Sequence, residues 1–549
     1  MKSIVFLYAG FEQTHAFDSI FSSQSAFERT LTWTRGVEGS LGIVVAVSEK
    51  TDGMVRSSLK SQGIEAKIIK REVWLTRDLL EQMALSVSQS GADCAVYSFA
   101  DRPFLDSVLT KSLLKDHFEY AAEYTFADGY PEGFAPEVID KGTLNILASL
   151  AKEKDKVGLS PVKTGSIFSV IKTDINSFEI ETVIAEKDWR MLRLDFSCST
   201  KEKTLACRNL YEEALDKKIP FTARALSEHS ESSVKVQRTV PAFYSVQISG
   251  FYGVESVYNP LFAENGNSAL LSAKGKNPPA MPLEKFRALC ADIASYSETA
   301  VVSLSAWGDP LCISSLADYV DSVLQYPGLS VLIECDGLFV DRATVDLVSS
   351  VVKKHPVREN PNPPVTWIVS VDAFSEAAYN LLHPAFTGEG GIVKSAANQS
   401  AYAYAVNAVA LLEEFFPGDV YPQFMRMNKN ENELESFYRY WHDSSSPSKG
   451  RVIIQKYDNF CGKLSDEKPA DLSPLTRPPC WHLKRDLTIL ADGSVPMCRE
   501  CVFSNLQGNV FNEGIASVWK KMEEKAASHI AGKYVDLCGE CDEYYTFNF

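Results

Sequence analysis

The chain has 549 residues, which at about 150 residues per domain predicts three or four domains. Its content of 45% hydrophobic and 23% charged residues predicts buried cores and excludes a disordered chain. A net charge of -16 without a dominant block of Lys or Arg argues against nucleic acid and membrane surfaces as partners. Because the sequence also has no run of about 18 to 20 apolar residues and no secretory signal, we expect a cytoplasmic location.

The first 150 residues alternate Val- and Ile-rich runs with segments whose apolar residues recur every three or four positions. This alternation predicts buried parallel strands joined by amphipathic helices, and therefore an α/β domain with a doubly wound sheet. Residues 151–240 have a mixed pattern, and we treat them as an extension or connector of uncertain fold. The predicted strands of the first domain are 3–8, 42–47, 66–69 and 94–99, with a helix at 76–87.

The alternation of apolar runs and amphipathic segments resumes in residues 241–445 with a different spacing. Five candidate strands separated by amphipathic segments predict a full or partial β/α barrel, whose chemistry lies at the carboxyl ends of its strands. A run rich in Ser, at 444–449, then marks the boundary of a cysteine-rich tail at 446–549. The candidate strands are 244–249, 300–304, 329–333, 365–369 and 420–425, and the candidate helices are 283–295, 313–325 and 343–353.

Five of the twelve cysteines lie in the last 70 residues. Clustered thiols in a cytosolic chain predict a metal site rather than disulfides. Two residues separate Cys538 from Cys541, so both thiolates can reach one metal centre, and a turn that contains Gly folds Cys498 back towards Cys480. Four such soft ligands suit an iron–sulfur cluster or structural zinc. The other seven cysteines are scattered, and we expect them to be buried apolar side chains, with Cys461 the more ambiguous one.

The tail resembles the SPASM domain, the C-terminal extension of many radical SAM enzymes that holds auxiliary four-iron four-sulfur clusters. The likeness rests on PPCWHLKRDLTILADGSVPMC at 478–498, followed by LQGNV at 506–510 and VW at 518–519. The resemblance implies one [4Fe-4S] cluster, because the further cysteines of the fuller family pattern are missing. Its four ligands would be Cys480, Cys498, Cys538 and Cys541. Zinc remains the alternative, since it would use the C-x-x-C pairs 498/501 and 538/541 and so make Cys501 a substitute ligand.

The barrel resembles the radical SAM barrel but lacks its cluster thiols. Members of that family carry C-x-x-x-C-x-x-C after the first strand, where three thiolates bind a cluster that presents one iron to S-adenosylmethionine. The matching segment here is VQISGFYGVESVYNP at 246–260, with Tyr252, Ser256 and Asn259 at the cysteine positions. Phenol, hydroxyl and carboxamide oxygens are hard donors that cannot replace three thiolates. We therefore expect no radical-initiating cluster.

A second radical SAM landmark is present in altered form. The segment SAWGDP at 305–310 resembles the Gly-Gly-Glu-Pro motif that contacts the methionine amino group. The resemblance makes Trp307, Gly308 and Asp309 candidate cofactor-binding residues. Because Asp309 stands in place of Glu and the cluster thiols are missing, S-adenosylmethionine is not an expected cofactor.

The N-terminal domain resembles sugar nucleotidyltransferases of the GT-A-like fold, including cytidylyltransferases for acidic sugars. The likeness rests on DCAVYSFADRPFLD at 93–106 and YPEGFAPEV at 130–138. It implies that Asp101 holds the Mg²⁺ of a bound nucleotide and that Glu137 shapes the sugar site, which makes both candidate catalytic residues. The loop at 7–15, LYAGFEQTH, lacks the Lys or Arg that would compensate phosphate charge. Turnover, and binding of a nucleotide or sugar nucleotide without turnover, both stay open.

The order of these parts resembles the spiro-SPASM proteins of spirochaetes. We expect an iron–sulfur protein that binds a protein or peptide through the barrel and tail without radical chemistry, a pseudoenzyme. One alternative is an active CTP-type sugar nucleotidyltransferase with a structural metal tail, and another is a radical SAM enzyme that modifies a peptide or protein. The predicted domains are 1–150, nucleotidyltransferase-like; 151–240, connector; 241–445, barrel; and 446–549, SPASM.

Overall fold

The protein divides into two compact units, Met1–Thr239 and Val240–Phe549. No helix in the described part of the chain is both long and apolar enough to cross a bilayer. The computed structural model describes residues 2–12, 14–262, 280–384, 400–534 and 536–546.

The first unit is built on a seven-stranded sheet. Its strands are β1 Ser3–Ala9, β2 Ser40–Val47, β3 Lys67–Lys70, β4 Cys94–Phe99, β5 Tyr124–Asp128, β6 Glu137–Asp140 and β7 Ile180–Ile184. Their order is β3-β2-β1-β4-β6-β5-β7, and only β6 runs antiparallel to its neighbours. Every residue of β1 and β4 is buried, as expected for central strands covered on both faces. The doubly wound sheet and its four predicted strands are confirmed.

Helices cover both faces of this sheet, because alternate side chains of the strands enter two separate cores. Phe6 lies in one core, whereas Val5 and Leu7 lie in the other. Residues 151–239 belong to the same unit, and part of them packs in a third core around Phe104 and Phe196. The helices are α1 Ala26–Thr34, α2 Asp52–Gln62, α3 Thr76–Ser90, α4 Ser107–Glu119, α5 Lys141–Glu153, α6 Asp155–Gly158, α7 Ser166–Ile171, α8 Lys201–Asp216, α9 Ala223–Ser230 and α10 Val234–Gln237.

The second unit contains a seven-stranded parallel sheet and a small antiparallel hairpin. The strands are β8 Phe243–Val246, β9 Ala300–Ser303, β10 Leu329–Cys335, β11 Val365–Ser370, β12 Val420–Arg426, β13 Ile453–Lys456, β14 Asp486–Ile489, β15 Ser494–Pro496 and β16 Leu506–Asn509. The order of the large sheet is β13-β12-β11-β10-β9-β8-β14, and β15 pairs with β16. The sheet has two edges, β13 and β14, so it forms a partial barrel as predicted. Both edge strands follow residue 445 in the chain.

The helices of this unit pack against the sheet in one core and continue into the tail. The predicted helix 313–325 begins at Leu316, because Asp309 caps a short 3-10 turn, Pro310–Cys312, just before it. One apolar core contains Val246 and Val302 of the barrel together with Leu487 and Trp519 of the tail. The helices are α11 Leu283–Ser297, α12 Leu316–Leu324, α13 Arg342–Lys354, α14 Glu376–Leu382, α15 Ala401–Phe415, α16 Leu434–His442, α17 Trp481–Arg485, α18 Val510–Glu513, α19 Ile515–Lys521, α20 Glu523–Ile530 and α21 Leu537–Glu540.

Candidate metal centre and barrel mouth

The cysteines predicted as metal ligands converge on one cavity of the second unit. This cavity of about 210 Å³ extends from the carboxyl ends of the barrel strands to the tail. Cys480, Cys498, Cys538 and Cys541 all line it. Cys501 lies beside them, with its Sγ 3.8 Å from the Sγ of Cys498. The fold therefore gathers all five tail cysteines in one region.

Local structure explains how the tail presents these thiols. Cys480 stands immediately before α17, and Cys538 lies within α21, which ends just before Cys541. The predicted turn between Cys480 and Cys498 is present at Gly493, whose φ is +84°. A Cβ at this position would lie 2.3 Å from the ring of Phe511, so the turn requires glycine both for its backbone conformation and for space.

A second thiol pair was not predicted from the sequence. Cys461 lines the same cavity as Cys541, and the interaction between the two thiols raises the pKa of Cys461 and lowers the pKa of Cys541. A hydrogen bond between Cys498 and Cys501 likewise raises the pKa of Cys498 and lowers that of Cys501 to about 7. The metal region therefore contains one close sulfur–sulfur contact, between Cys498 and Cys501, and one electrostatically linked pair, Cys461 and Cys541.

Burial keeps two further thiols protonated unless a metal replaces the proton. Burial raises the pKa of Cys480 to about 12 and that of Cys538 to about 11. A metal ion deprotonates the thiols that it binds, so metal binding and proton release are coupled at this site. Soft thiolates in a buried cavity are the donor set that iron–sulfur clusters and zinc use.

The spacing of the sulfurs can be compared with that of a zinc site. Zn–S bonds of about 2.3 Å in a tetrahedron place all four sulfurs about 3.8 Å apart. Among the described residues, no three cysteine sulfurs lie within 4.8 Å of one another. The Cys498–Cys501 contact of 3.8 Å has the spacing of two sulfurs at a zinc site.

Three carboxylates lie next to the thiols, and lysines pair with two of them, Asp542 and Glu543. Oxygens of Asp458, Asp542 and Glu543 lie within 4.8 Å of one another. Lys468 Nζ lies 2.6 Å and Lys456 Nζ 3.2 Å from Asp542 Oδ2, and Lys456 also pairs with Glu543. These ion pairs connect the segment after β13 to the residues that follow Cys541.

At the barrel mouth, two of the three residues that replace the radical SAM cysteines bond to each other. Tyr252, Ser256 and Asn259 all line the cavity. The Tyr252 and Asn259 side chains are hydrogen-bonded to each other, and Asn259 Oδ1 also accepts a bond of 3.0 Å from the Leu261 amide. Burial raises the pKa of Tyr252, so its phenol stays protonated. Tyr252 and Asn259 are therefore hydrogen-bonding partners within the protein rather than a set of anionic ligands.

The loop that carries these residues is fastened to neighbouring strand ends. Tyr258 Oη donates to Asp372 Oδ2 at 2.6 Å, and the Val254 amide donates to Asp336 Oδ2 at 3.1 Å. The amide of Asp309 donates to the Phe251 carbonyl at 2.7 Å. Asp372 and Asp309 are almost completely buried. The loop is therefore held by buried protein–protein hydrogen bonds.

The altered S-adenosylmethionine motif also lies in this cavity. Trp307 has a φ of +52°, and its ring lies 5.6 Å from that of Phe460. A Cβ on Gly308 would lie 1.9 Å from the carbonyl oxygen of Ser249, so only glycine fits there. Burial and then the neighbouring Asp336 carboxylate raise the pKa of Asp309 well above its ordinary range. Asp309 thus acts as a protonated partner inside the protein.

In the first unit, the two candidate catalytic carboxylates both interact with one buried arginine. Asp101 lies just after β4 and Glu137 begins β6, and both interact electrostatically with Arg102. Burial raises the pKa of Asp101 to about 6 and that of Glu137 to about 7. Asp101 Oδ1 is buried and has no hydrogen-bond partner among the described residues.

Sequence reasoning missed the charged groups that complete this cluster. Arg102 Nη2 lies 2.6 Å from Glu132 Oε1, and Lys203 Nζ lies 2.6 Å from Asp195 Oδ2. Asp195 interacts electrostatically with Asp101. The adjacency of Arg102 to Asp101 was a usable signal, whereas Asp195 and Lys203 follow far along the chain and have no local motif.

Parts of this chain are similar to known proteins. The family model of the SPASM iron–sulfur cluster-binding domain matches residues 480–542. A cytidylyltransferase from Leptospira borgpetersenii serovar Hardjo-bovis is 17% identical, with a TM-score of 0.35, over 44% of this chain and 98% of its own. BtrN in complex with AdoMet and 2-DOIA is 15% identical, with a TM-score of 0.34, over 56% of this chain and 94% of its own.

A sequence relative places the chain in a family. An uncharacterized protein of Treponema pallidum (strain Nichols) is 40% identical over 390 residues, which are 70% of this chain and 99% of that protein. The chain therefore belongs to the family of this Treponema pallidum protein, and its residues 480–542 match the SPASM iron–sulfur cluster-binding domain.

Proposed function

We propose that this protein holds one [4Fe-4S] cluster in its SPASM domain and binds a protein or peptide partner without initiating radical chemistry. The cluster's ligands would come from the thiols around the tail cavity. Such a cluster supplies a redox-active or purely structural centre, and the barrel serves as a binding scaffold.

The proposal depends mainly on one observation: the barrel-mouth loop carries hydrogen-bonded oxygen side chains where a radical SAM enzyme has cysteines. Three oxygen-bearing side chains occupy the positions of the missing thiols, and two of them, Tyr252 and Asn259, are bonded to each other. A second cluster at this mouth would need three thiolate ligands, and it would have to displace buried hydrogen bonds such as Tyr258 to Asp372. By contrast, six thiols lie in or beside the tail cavity: Cys461, Cys480, Cys498, Cys501, Cys538 and Cys541.

The retained cavity supports the binding role. Asp309, Glu334 and Asp336 line it from the barrel, and Arg499 and Trp307 line it as well. Charged and aromatic groups that converge in a concave site are typical of ligand recognition. A side chain of a bound peptide would enter this barrel end of the cavity, whereas the cluster would lie at the end lined by the tail cysteines.

Anaerobic reconstitution followed by iron analysis and an S-adenosylmethionine cleavage assay tests the proposal. We expect about four irons per chain, no zinc, and no reductive cleavage of S-adenosylmethionine. About eight irons with cleavage would show an active radical enzyme instead. One zinc and no iron would show the alternative metal.

Nucleotidyl transfer in the first unit is the second candidate, and one observation favours it. The buried, unpartnered Oδ1 of Asp101 is the kind of oxygen that a divalent cation would satisfy. We expect that Mg²⁺ with CTP raises the melting temperature of the first unit in the wild type but not in Asp101→Asn. Release of pyrophosphate would establish turnover, and no shift and no release would exclude this candidate.

A further inference from the structure

Arg477 lies just outside the residues 480–542 that match the SPASM domain, and it contacts the helix that carries one of the predicted ligands. Its Nη2 donates to the carbonyl oxygen of Cys538 at 2.5 Å, and its Nη1 donates to the carbonyl oxygen of Gly539 at 3.3 Å. Both carbonyls belong to α21, the short helix that ends just before Cys541. One planar guanidinium therefore binds two successive peptide groups beside a predicted metal ligand.

Two tyrosine rings contact the same guanidinium. The Cζ of Arg477 lies 4.2 Å from the ring centroid of Tyr534 and 4.3 Å from that of Tyr544. These tyrosines lie on either side of α21 in sequence, and Tyr534 Oη donates to the carbonyl oxygen of Arg477 at 3.2 Å. Because a guanidinium stacks on aromatic rings and donates in its own plane, these contacts together hold it in one orientation.

The same contacts connect α21 to Cys480. Two proline residues separate Arg477 from Cys480, and their fixed φ angles make this connection stiff. On the other side of Cys480, the Trp481 amide donates to the carbonyl oxygen of Tyr544 at 2.9 Å. The segment of Cys480 is therefore bonded to the chain on both sides of α21.

One N–H of Arg477 is not used by these contacts. Its Nε is buried and has no hydrogen-bond partner among the described residues. Arg477 lines the cavity that Cys480 and Cys538 also line. A buried donor without an acceptor is destabilising, and the sulfurs of an iron–sulfur cluster are acceptors of such hydrogen bonds.

We infer that Arg477 is a positioning residue of the metal centre: it holds α21 so that Cys538 faces the cluster, and its Nε–H donates to a sulfur of the site. The inference rests on the proposed cluster and adds to it a residue outside the SPASM match. Two properties of the loaded protein should then depend on Arg477. The orientation of Cys538 affects how firmly the cluster is held, and a hydrogen bond and a positive charge beside the sulfurs raise the reduction potential.

The variant Arg477→Gln tests both properties in the full chain after anaerobic reconstitution. We expect it to bind iron and sulfide, because every thiol remains, but to release iron to a chelator about tenfold faster than the wild type. The reduction potential of its cluster should be lower, and the electron paramagnetic resonance signal of the reduced cluster should change. Arg342→Gln is the matched control, since Arg342 contacts the ring of Phe415 but lies on α13 and does not line the cavity. This control should behave as the wild type does.

The outcomes distinguish this inference from the proposed function. If the wild type binds no iron, both fail. If the wild type is loaded but Arg477→Gln releases iron at the wild-type rate, the inference alone is wrong. Faster release with an unchanged potential and resonance signal would also overturn it, because a purely structural role would account for that result.

Circular dichroism checks the fold of every variant. If Arg477→Gln does not fold, Arg477→Lys replaces it, because lysine keeps the charge but not the planar pair of donors. We expect Arg477→Lys also to release iron faster than the wild type, and release at the wild-type rate would overturn the inference.

Discussion

Cys480 is the residue whose loss should affect the metal centre most clearly. It stands at the start of α17 and is 8% exposed, so it is fixed by a short helix inside the core. Cys501 instead lies 3.8 Å from Cys498, so its removal leaves another thiol at the same place. The two residues therefore make a matched pair for mutation.

We expect Cys480→Ala to lose its iron and to lower the melting temperature of the second unit, because metal binding contributes folding free energy. Cys501→Ala should keep its iron. Iron analysis and calorimetry of both variants provide the measurement. Loss of metal in Cys501→Ala but not in Cys480→Ala would support the zinc-type pairing instead.

A histidine on helix α4 makes the free energy of unfolding of the first unit depend on pH. His117 of this helix is buried, and its Nδ1 lies 2.8 Å from Thr125 Oγ1 on β5. Burial lowers the pKa of His117, with Asp140 opposing the effect. The unfolded chain binds a proton at this residue below about pH 6.5, whereas the folded chain stays neutral to lower pH.

The free energy of unfolding of the first unit should therefore fall as pH decreases below about 6.5, since the unfolded state binds more protons. His117→Gln should unfold more easily at pH 7 but lose part of this pH dependence. Urea unfolding between pH 5 and pH 8, roughly the range around the histidine pKa, is the measurement. An unchanged slope in the variant would show that other groups cause the dependence.

Strand β14 joins the tail to the barrel, since it pairs in parallel with β8 at the edge of the sheet. Leu487 of this strand is completely buried in the core shared by barrel and tail. Leu487→Ala should lower the free energy of unfolding of the second unit by about 3 kcal/mol. Leu475→Ala, at a fully exposed position in the same tail, should change it by less than about 0.5 kcal/mol. Equal effects in urea unfolding would contradict the shared core.

At the scale of the whole molecule, the two units have separate cores. Iron should stabilise only the unit that binds it, because a ligand stabilises the folded state to which it binds. We expect removal of iron by a chelator to lower the melting temperature of the second unit and to leave that of the first unit unchanged. A parallel shift of both transitions would show that the units unfold together.

The sequence by itself determined strands β1 to β4 and β8 to β12, the partial barrel and the thiols of the tail, because each depends on local periodicity or on short spacing; strands β5 to β7 and β13 to β16 were not predicted. It also established that the barrel mouth lacks thiolates, since Tyr252 and Asn259 are visible in the aligned motif. Only the tertiary structure decided that Cys461 lines the cavity of the tail cysteines and that β14 extends the barrel sheet. These contacts join residues that are distant in sequence, and burial, ion pairs and strand pairing select them only when the whole chain packs.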